Sequence, residues 1–461
     1  MSRQLIVIAK KDVSLDRLKE ESISSSDSRN DSLMSMLASE EVQIQPLFNV
    51  EQIQPASTFS LGSDEETPDL SKYYRVSAPD EKLEEIVEQL RNSNMVEDAY
   101  IKPAPELARI AAEPMPDVAP PATPDFSIRQ GYLDAAPVGV DARHAWRFPG
   151  GKGNGVKIVD IEGAWKFSHE DLRENQGGVI GGTPSSEIAW RNHGTAVIGE
   201  ISGDENALGI TGISPNAKIH AISIFGQGQT SSTAIVQATN ALNPGDIILI
   251  ELHAPGPRFN FQDRLDQKGY IAIEWWQDDF DAIRLATAKG IIVVEAAGNG
   301  AENLDDTIYE NRFNRTHRDS GAILVGAGAP PPGTHGRNHG ADRSRLDFSN
   351  YGSIVDTQGW GREVTTTGGF RKSEGDLQGG GNEDVWYTDQ FSGTSSASPI
   401  IVGTVACLQG IVKARGQAAL KPSRIRELLR NSGSPQQDES TRPRTQRIGK
   451  RPDLKQLIDM L

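Results

Sequence analysis

The chain is nearly without cysteine. Its single thiol, Cys407, rules out a disulfide within the chain and fits a reducing compartment. Cys407 lies in the apolar run Gly403–Leu408, where a small core residue is the simpler reading than a reactive thiol. No uninterrupted apolar run reaches the ~18 residues of a membrane-spanning helix, and the N-terminus lacks a signal peptide's apolar stretch and small-residue cleavage site. The expected location is therefore the cytoplasm. Positive charge is also in deficit. A formal net charge of −16 over 461 residues disfavours nucleic acid and anionic membranes as partners. The one basic run, Arg442–Arg451, is interrupted by Pro and Gly and reads as a solvated loop. No Walker loop and no Gly-x-Ser-x-Gly elbow occurs, which counts against nucleotide hydrolysis and an α/β-hydrolase esterase. Gly151–Gly155 precedes a strand rather than following one, so it is not a dinucleotide loop.

What is present divides the chain in three. Residues 1–108 read as a small α+β unit: a strand at Leu5–Ala9, another at Tyr73–Val76, a helix over Asp80–Asn92, and a strand at Val96–Ile101. Leu83, Ile86, Val87 and Leu90 carry the helical spacing. Glu21–Asp31 reads as a loop. Residues 109–124 form a proline-rich linker, exposed and open to nicking. From 125 to 461 strands alternate with helices: Val156–Val159 leading into Asp160, Lys218–Ile224, Asp246–Ile250, a helix at Asp278–Lys289, then Ile291–Val294 and Ser320–Val325. That alternation implies an α/β fold with a doubly wound parallel sheet, whose functional residues gather beyond the strand C-termini.

Four polar residues stand at such ends. Asp160 follows the first strand, and His193 opens an apolar helix in Arg191-Asn-His-Gly-Thr-Ala-Val197. Asn299 sits in the glycine turn Ala296-Ala-Gly-Asn-Gly300, and Ser395 opens a helix in Phe391-Ser-Gly-Thr-Ser-Ser-Ala-Ser-Pro399. Taken singly, each has an ordinary reading as a cap, a turn former or a satisfied structural histidine. Amide hydrolysis by a serine needs a base for the hydroxyl, a carboxylate behind the base and donors for the oxyanion, and an Asp, a His and a Ser are among these residues.

Each of these stretches resembles a signature of the subtilisin-like serine proteases, the subtilases. The likeness extends through Leu208–Pro215, His169–Leu172, Gly321–Ala327 and Phe348–Gly352, and covers roughly residues 125–461. It implies a serine endopeptidase acting on protein or peptide substrates. Ser395 is then the nucleophile, His193 the base, Asp160 its orienting carboxylate, and Asn299 with the Ser395 N–H the oxyanion donors. Leu252 and His253 match the family's strand that pairs with extended substrate, and Ala297 and Gly298 the opposite wall. No cofactor is implied. Structural calcium, common in the family, would fall at Asp171 and Asn206. The small N-terminal unit resembles a propeptide that inhibits in cis; a permanent regulatory domain is the other reading.

The sequence also departs from the family's pattern. Asp160-Ile-Glu-Gly163 lacks the usual spacing to Gly, Glu251 stands where Ser is usual, Ala196 where a second His is common, and Ser396 where Met is usual. Glu162 is expected either beside His193, raising its pKa, or out in solvent. A pseudoprotease that binds peptides without cutting them is the rival reading, supported only by the altered loop after Asp160. His335 and His339 lie in a Pro- and Gly-rich segment unsuited to a helical metal pair. Trp275 and Trp276 are expected to pack on the domain or to line the cleft.

Overall fold

The computed structural model describes residues 3–11, 13–16, 42–49, 67–108, 122–369 and 376–461. The loop expected at Glu21–Asp31 and most of the linker lie outside the described residues.

The large domain is organised by strands too apolar to face water on either side. β6 (Lys157–Glu162), β7 (Gln176–Gly181), β8 (Lys218–Ser223), β9 (Ile247–Ile250), β12 (Ile292–Ala296), β13 (Ile323–Gly328) and β14 (Val355–Trp360) form a seven-stranded parallel sheet in the order β14-β13-β12-β9-β6-β8-β7. Alternation sends Ile158, Ile247, Leu249 and Val294 to one face, into a core with α2 (Ile188–Ser202) and α5 (Thr394–Ala414). Val159, Ile161, Ile248, Ile250 and Val293 face the other way, toward α3 (Ser231–Ala241) and α4 (Gln277–Ala288). Expected and observed strands agree to within a few residues, with one consequential exception. The first strand does not stop before Asp160 but runs on to Glu162. β6 is the strand from which the chain winds to both sides, so its carboxyl end is the sheet's switch point.

α5 is long and apolar enough to cross a membrane by length and composition, yet the whole of that apolar window is buried in the protein. Its apolarity serves the core, where Ile400, Ile401, Val405 and Leu408 pack beside the sheet.

The N-terminal residues form a second, antiparallel sheet of β1 (Gln4–Ala9), β2 (Gln43–Pro46), β3 (Tyr73–Ser77) and β4 (Val96–Lys102), ordered β2-β3-β1-β4, with α1 (Leu83–Arg91) on it. β1 is buried on both faces. Leu5, Val7 and Ala9 pack with Leu83, Ile86 and Leu90 of α1. Ile6 and Ile8 join the large domain's core beside α3 and α4. Burying such a side chain is worth about 1.5–3 kcal/mol, so this face is a substantial contact.

The contact is fastened by a buried ion cluster. Lys102, at the end of β4, places Nζ 2.8 Å from Asp278 Oδ2 and 2.5 Å from Asp279 Oδ2, with all three side chains at most 1% exposed. Lys102 Nζ also donates to Ser231 Oγ (3.0 Å), Tyr100 OH to Asp278 Oδ1 (3.0 Å) and Tyr73 OH to Asp281 Oδ2 (2.5 Å). The two acids sit in the first turn of α4, where the helix end favours negative charge, and Lys102 neutralises them in turn. Removing one partner of a buried ion pair strands the other. In a Ser395→Ala background, Lys102→Met is therefore expected to lower stability by about 3–5 kcal/mol, read by urea denaturation. An unchanged midpoint would show that the apolar face alone holds the two sheets together.

Candidate active site

Three carboxyl-side strand ends, the start of α5 and the second turn of α2 converge at the switch point; His193 does not open α2, which begins at Ile188. Asp160 and Glu162 are two apart on β6 and so share one face. Asp160 lies within the strand, where its Oδ2 accepts the Trp165 indole N–H at 2.7 Å. Glu162 lies at the strand's end, and its Oε2 is 2.5 Å from His193 Nδ1, with both side chains at most 1% exposed. The residue meeting the histidine is thus Glu162 and not Asp160, because the strand carries two more residues than its pattern suggested. Glu162 is not turned to solvent. Burial pushes the Asp160 carboxyl up to about 7 and the Glu162 carboxyl well above the glutamate range, with Asp160 and Glu251 as like-charged neighbours of Glu162.

A glutamate reaches one methylene further than an aspartate, and α2 makes room for it. Gly194 follows His193 in the helix, and a Cβ there would collide with Glu162 Oε1 and the Ala164 carbonyl. Overpacking of this kind costs about 1–3 kcal/mol. Gly194→Ala is expected to destabilise by that amount in thermal or urea unfolding. Wild-type stability would mean that Glu162 does not lie against this turn.

Ser395 is in the first turn of α5, entered through Gly393 at φ +117°, a backbone state that favours glycine. Its hydroxyl donates to the carbonyl of Ala108 (2.9 Å), and its backbone N–H lies 3.5 Å from the same oxygen. Asn299 Oδ1 accepts from both the N–H and the hydroxyl of Thr394, each at 2.9 Å. That turns Nδ2 the other way, 3.4 Å from Gln267 Oε1.

Ala108 arrives there by strand pairing. β5 (Glu106–Leu107) runs antiparallel to β10 (Leu252–Pro255), with Leu107 opposite Leu252 and Glu106 opposite His253, and β11 (Tyr270–Ala272) flanks β10 on its other side. Gln267 Nε2 donates to the Leu107 carbonyl at 2.9 Å. Leu252 and His253 therefore do hold an extended chain, and it is this protein's own. Ala297 and Gly298 use their backbone groups differently. The Ala297 N–H donates to the Val325 carbonyl (2.9 Å), and Asn350 N donates to the Gly298 carbonyl (3.0 Å). His253 stacks edge-on to Tyr270, accepts the Asn299 N–H on Nδ1 (3.2 Å), and burial lowers its pKa to about 3, so it is a neutral spacer.

The residues considered for calcium do not fit a cation. Asp171 Oδ1 accepts from Asn206 Nδ2 and Oδ2 from the Ile210 N–H, both at 2.7 Å. Donors thus point at the carboxylate where a metal would have to lie, and among the described residues no cluster of three acidic, His or Cys groups could hold a metal ion. His335 and His339 both face the Glu363 carboxylate, with His335 also meeting the Arg129 carbonyl, and among the described residues no group of three such side chains could hold a metal ion. Trp276 is fully buried in the domain.

Residues 62–449 match the Subtilase family. The chain belongs to the subtilase family. It is 26% identical over 262 residues to subtilisin DY of Bacillus licheniformis, a match taking in 56% of this chain and 78% of that protein. It is 25% identical over 295 residues to an intracellular serine protease of Paenibacillus polymyxa, covering 61% and 75% respectively. The match to an alkaline protease of Alkalihalobacillus alcalophilus, 28% identical, covers only 54% of that protein. Among solved structures, fervidolysin from Fervidobacterium pennivorans aligns with a TM-score of 0.57 at 18% identity, over 100% of this chain and 61% of that one. The epidermin leader peptide processing serine protease of Staphylococcus aureus aligns at 0.56 and 17%, over 100% and 98%. These likenesses establish the subtilisin-like α/β fold with a parallel seven-stranded sheet.

Sequence reasoning gave the histidine's partner as Asp160, with Glu162 beside His193 as only one of two readings, and missed the course of residues 106–108. The first had a signal: two acids at i and i+2 share a face, and the outer one is nearer the switch point. The second had none, since Glu106-Leu-Ala108 is too short to carry periodicity.

Proposed function

We propose that this subtilase is a serine endopeptidase working through Glu162, His193 and Ser395, and that its first substrate is its own chain after Ala108. The observation that carries this is the Ala108 carbonyl, held by strand pairing 2.9 Å from Ser395 Oγ. Glu162 accepts a hydrogen bond from the Nδ1–H of His193, which keeps that proton, fixing the tautomer in which Nε2 is the base. His193 takes the Ser395 proton as Oγ bonds to the Ala108 carbonyl carbon. The oxyanion forms beside the Ser395 N–H and the turn bearing Asn299. Collapse breaks the bond to the Arg109 nitrogen, which receives the proton from His193, and water then hydrolyses the Ala108 ester. The occupied cleft makes residues 1–108 an inhibitor in cis until they leave. Residues that pair with β10 set the substrate class: extended, unfolded peptide segments.

Intact-mass measurement tests the self-cleavage. Wild type is expected to yield a fragment ending at Ala108, and Ser395→Ala to stay whole. Wild type uncut at that bond, with no labelling by a fluorophosphonate probe after denaturant-free dissociation of the N-terminal region, would favour the peptide-binding pseudoprotease instead. The carboxylate assignment is tested separately. By analogy with loss of the orienting acid in a serine-protease triad, Glu162→Gln is expected to lower kcat by about 10⁴. Asp160→Asn, which keeps an acceptor for Trp165, is expected to stay within about tenfold of wild type. The reverse ranking would return the role to Asp160.

A further inference from the structure

One buried group beside the nucleophile is not used by this mechanism. Glu251 is the single residue between β9 and β10, and it is fully buried. It thus joins the central sheet to the strand that holds the extended chain. Its Oε1 lies 2.6 Å from Ser398 Oγ, and Ser398 Oγ lies 2.8 Å from the Thr394 carbonyl. Both contacts are in the first turns of the nucleophile helix.

Counting protons favours a neutral Glu251. The Thr394 carbonyl can only accept, and the Ser398 hydroxyl has one proton to give. If Glu251 is ionised, that proton must serve two acceptors and one contact loses it. If Glu251 is a carboxylic acid, Oε1–H donates to Ser398 Oγ and Ser398 donates to Thr394, so both contacts are made. The surroundings agree. The titratable groups facing Glu251 are Asp160 and Glu162 from β6, Glu200 from α2 and the Ser395 hydroxyl from α5. His253, two residues on along β10, is neutral, and His193 lies across Glu162. Besides Ser398, the Glu251 carboxyl meets the Ser395 hydroxyl, and both carboxyl oxygens of Glu200 have no hydrogen-bond partner among the described residues. An ionised carboxylate buried so is costly.

We propose that Glu251 acts as a neutral carboxylic acid whose proton pins the first turns of the nucleophile helix to the substrate-pairing strand, and that loss of this proton switches the enzyme off. Glu251 is a positioning residue: it acts through Ser398 and the field at Ser395. Losing the proton breaks the relay to Thr394 and puts a negative charge where the oxyanion must form. Burial, with Asp160 adding repulsion, raises the Glu251 pKa well above the glutamate range. The folded protein therefore keeps the proton where the unfolded chain has lost it. The benefit is complete below the ordinary glutamate pKa and is lost as pH rises through the raised value, so the limit falls on the alkaline side.

This inference rests on the endopeptidase reading, and its test separates the two. The protein expressed as the full chain and matured by release of residues 1–108 is assayed on a peptide anilide ending in Glu-Leu-Ala, and kcat/KM is followed from acid to alkaline pH. Wild type is expected to lose activity about tenfold per pH unit beyond the Glu251 titration. Glu251→Gln keeps a donor toward Ser398 but cannot ionise. Its ratio of alkaline to neutral kcat/KM is expected to exceed the wild-type ratio by at least about tenfold. A profile of unchanged shape overturns the proposal. Should Glu251→Gln fail to fold, infrared spectra of glutamate-labelled wild type decide. A protonated-carboxyl band must be present at neutral pH and vanish with the midpoint of the activity loss, and its absence overturns the proposal. A protein that neither cuts its own chain after Ala108 nor cleaves the anilide once residues 1–108 have been released refutes the endopeptidase reading, while the infrared band still decides the proton on Glu251.

Discussion

The 2.5 Å contact between Glu162 and His193 is the constraint on which the site depends. It needs β6 to run two residues beyond Asp160, α2 to place His193 in its second turn facing the sheet end, and the next helix residue to lack a side chain. Each condition is met by a different part of the sequence: the alternating Ile158–Glu162 segment, the small-residue helix, and Gly194. A shorter acid at the end of β6 would not reach so far, and a larger residue at 194 would not let the glutamate in.

Charge is distributed unevenly around that contact. Asp160, Glu162, Glu200 and Glu251 are all fully buried in or beside the site. A buried cation does occur nearby, but it is given to the neighbouring interface, where Lys102 balances Asp278 and Asp279. The site instead holds its acids by hydrogen bonds and by protons. Trp165 serves Asp160, His193 serves Glu162, and Ser398 faces Glu251. An interior arranged in this way makes the protonation of each acid depend on the others. It also explains why the chain's acidity is not merely a surface property.

Much of this was legible in the sequence, and the remainder was hidden for physical reasons. The strands β8, β9 and β12 are continuous apolar runs, so their existence and the parallel sheet follow directly. Ser395 and Asn299 stand at glycine-rich element ends, as their motifs suggested, while His193 lies in the second turn of its helix. Asp160 was misjudged because a polar residue usually ends an apolar strand. Here it is buried in the strand, satisfied by Trp165, whose position five residues on depends on tertiary packing. Glu251 was visible as an odd residue but not as a group facing Ser398, because that contact joins residues 147 apart.

Two attachments hold the N-terminal sheet, and they differ in kind. The β5–β10 pairing is made of backbone hydrogen bonds that other extended peptides could also form. The Lys102 cluster and the Ile6–Ile8 face are specific to these side chains. Only residues 103–105 separate the end of β4 from β5, so docking of the sheet delivers Glu106–Ala108 to β10 at high effective concentration. A cut after Ala108 would break the chain on the far side of both attachments. Neither the ion cluster nor the strand pairing would be touched by it. Cleavage and unblocking are then separate events. In the proposed mechanism the first is governed by Ser395 and the state of its neighbouring acids. The second is governed by how long a buried lysine stays between two aspartates.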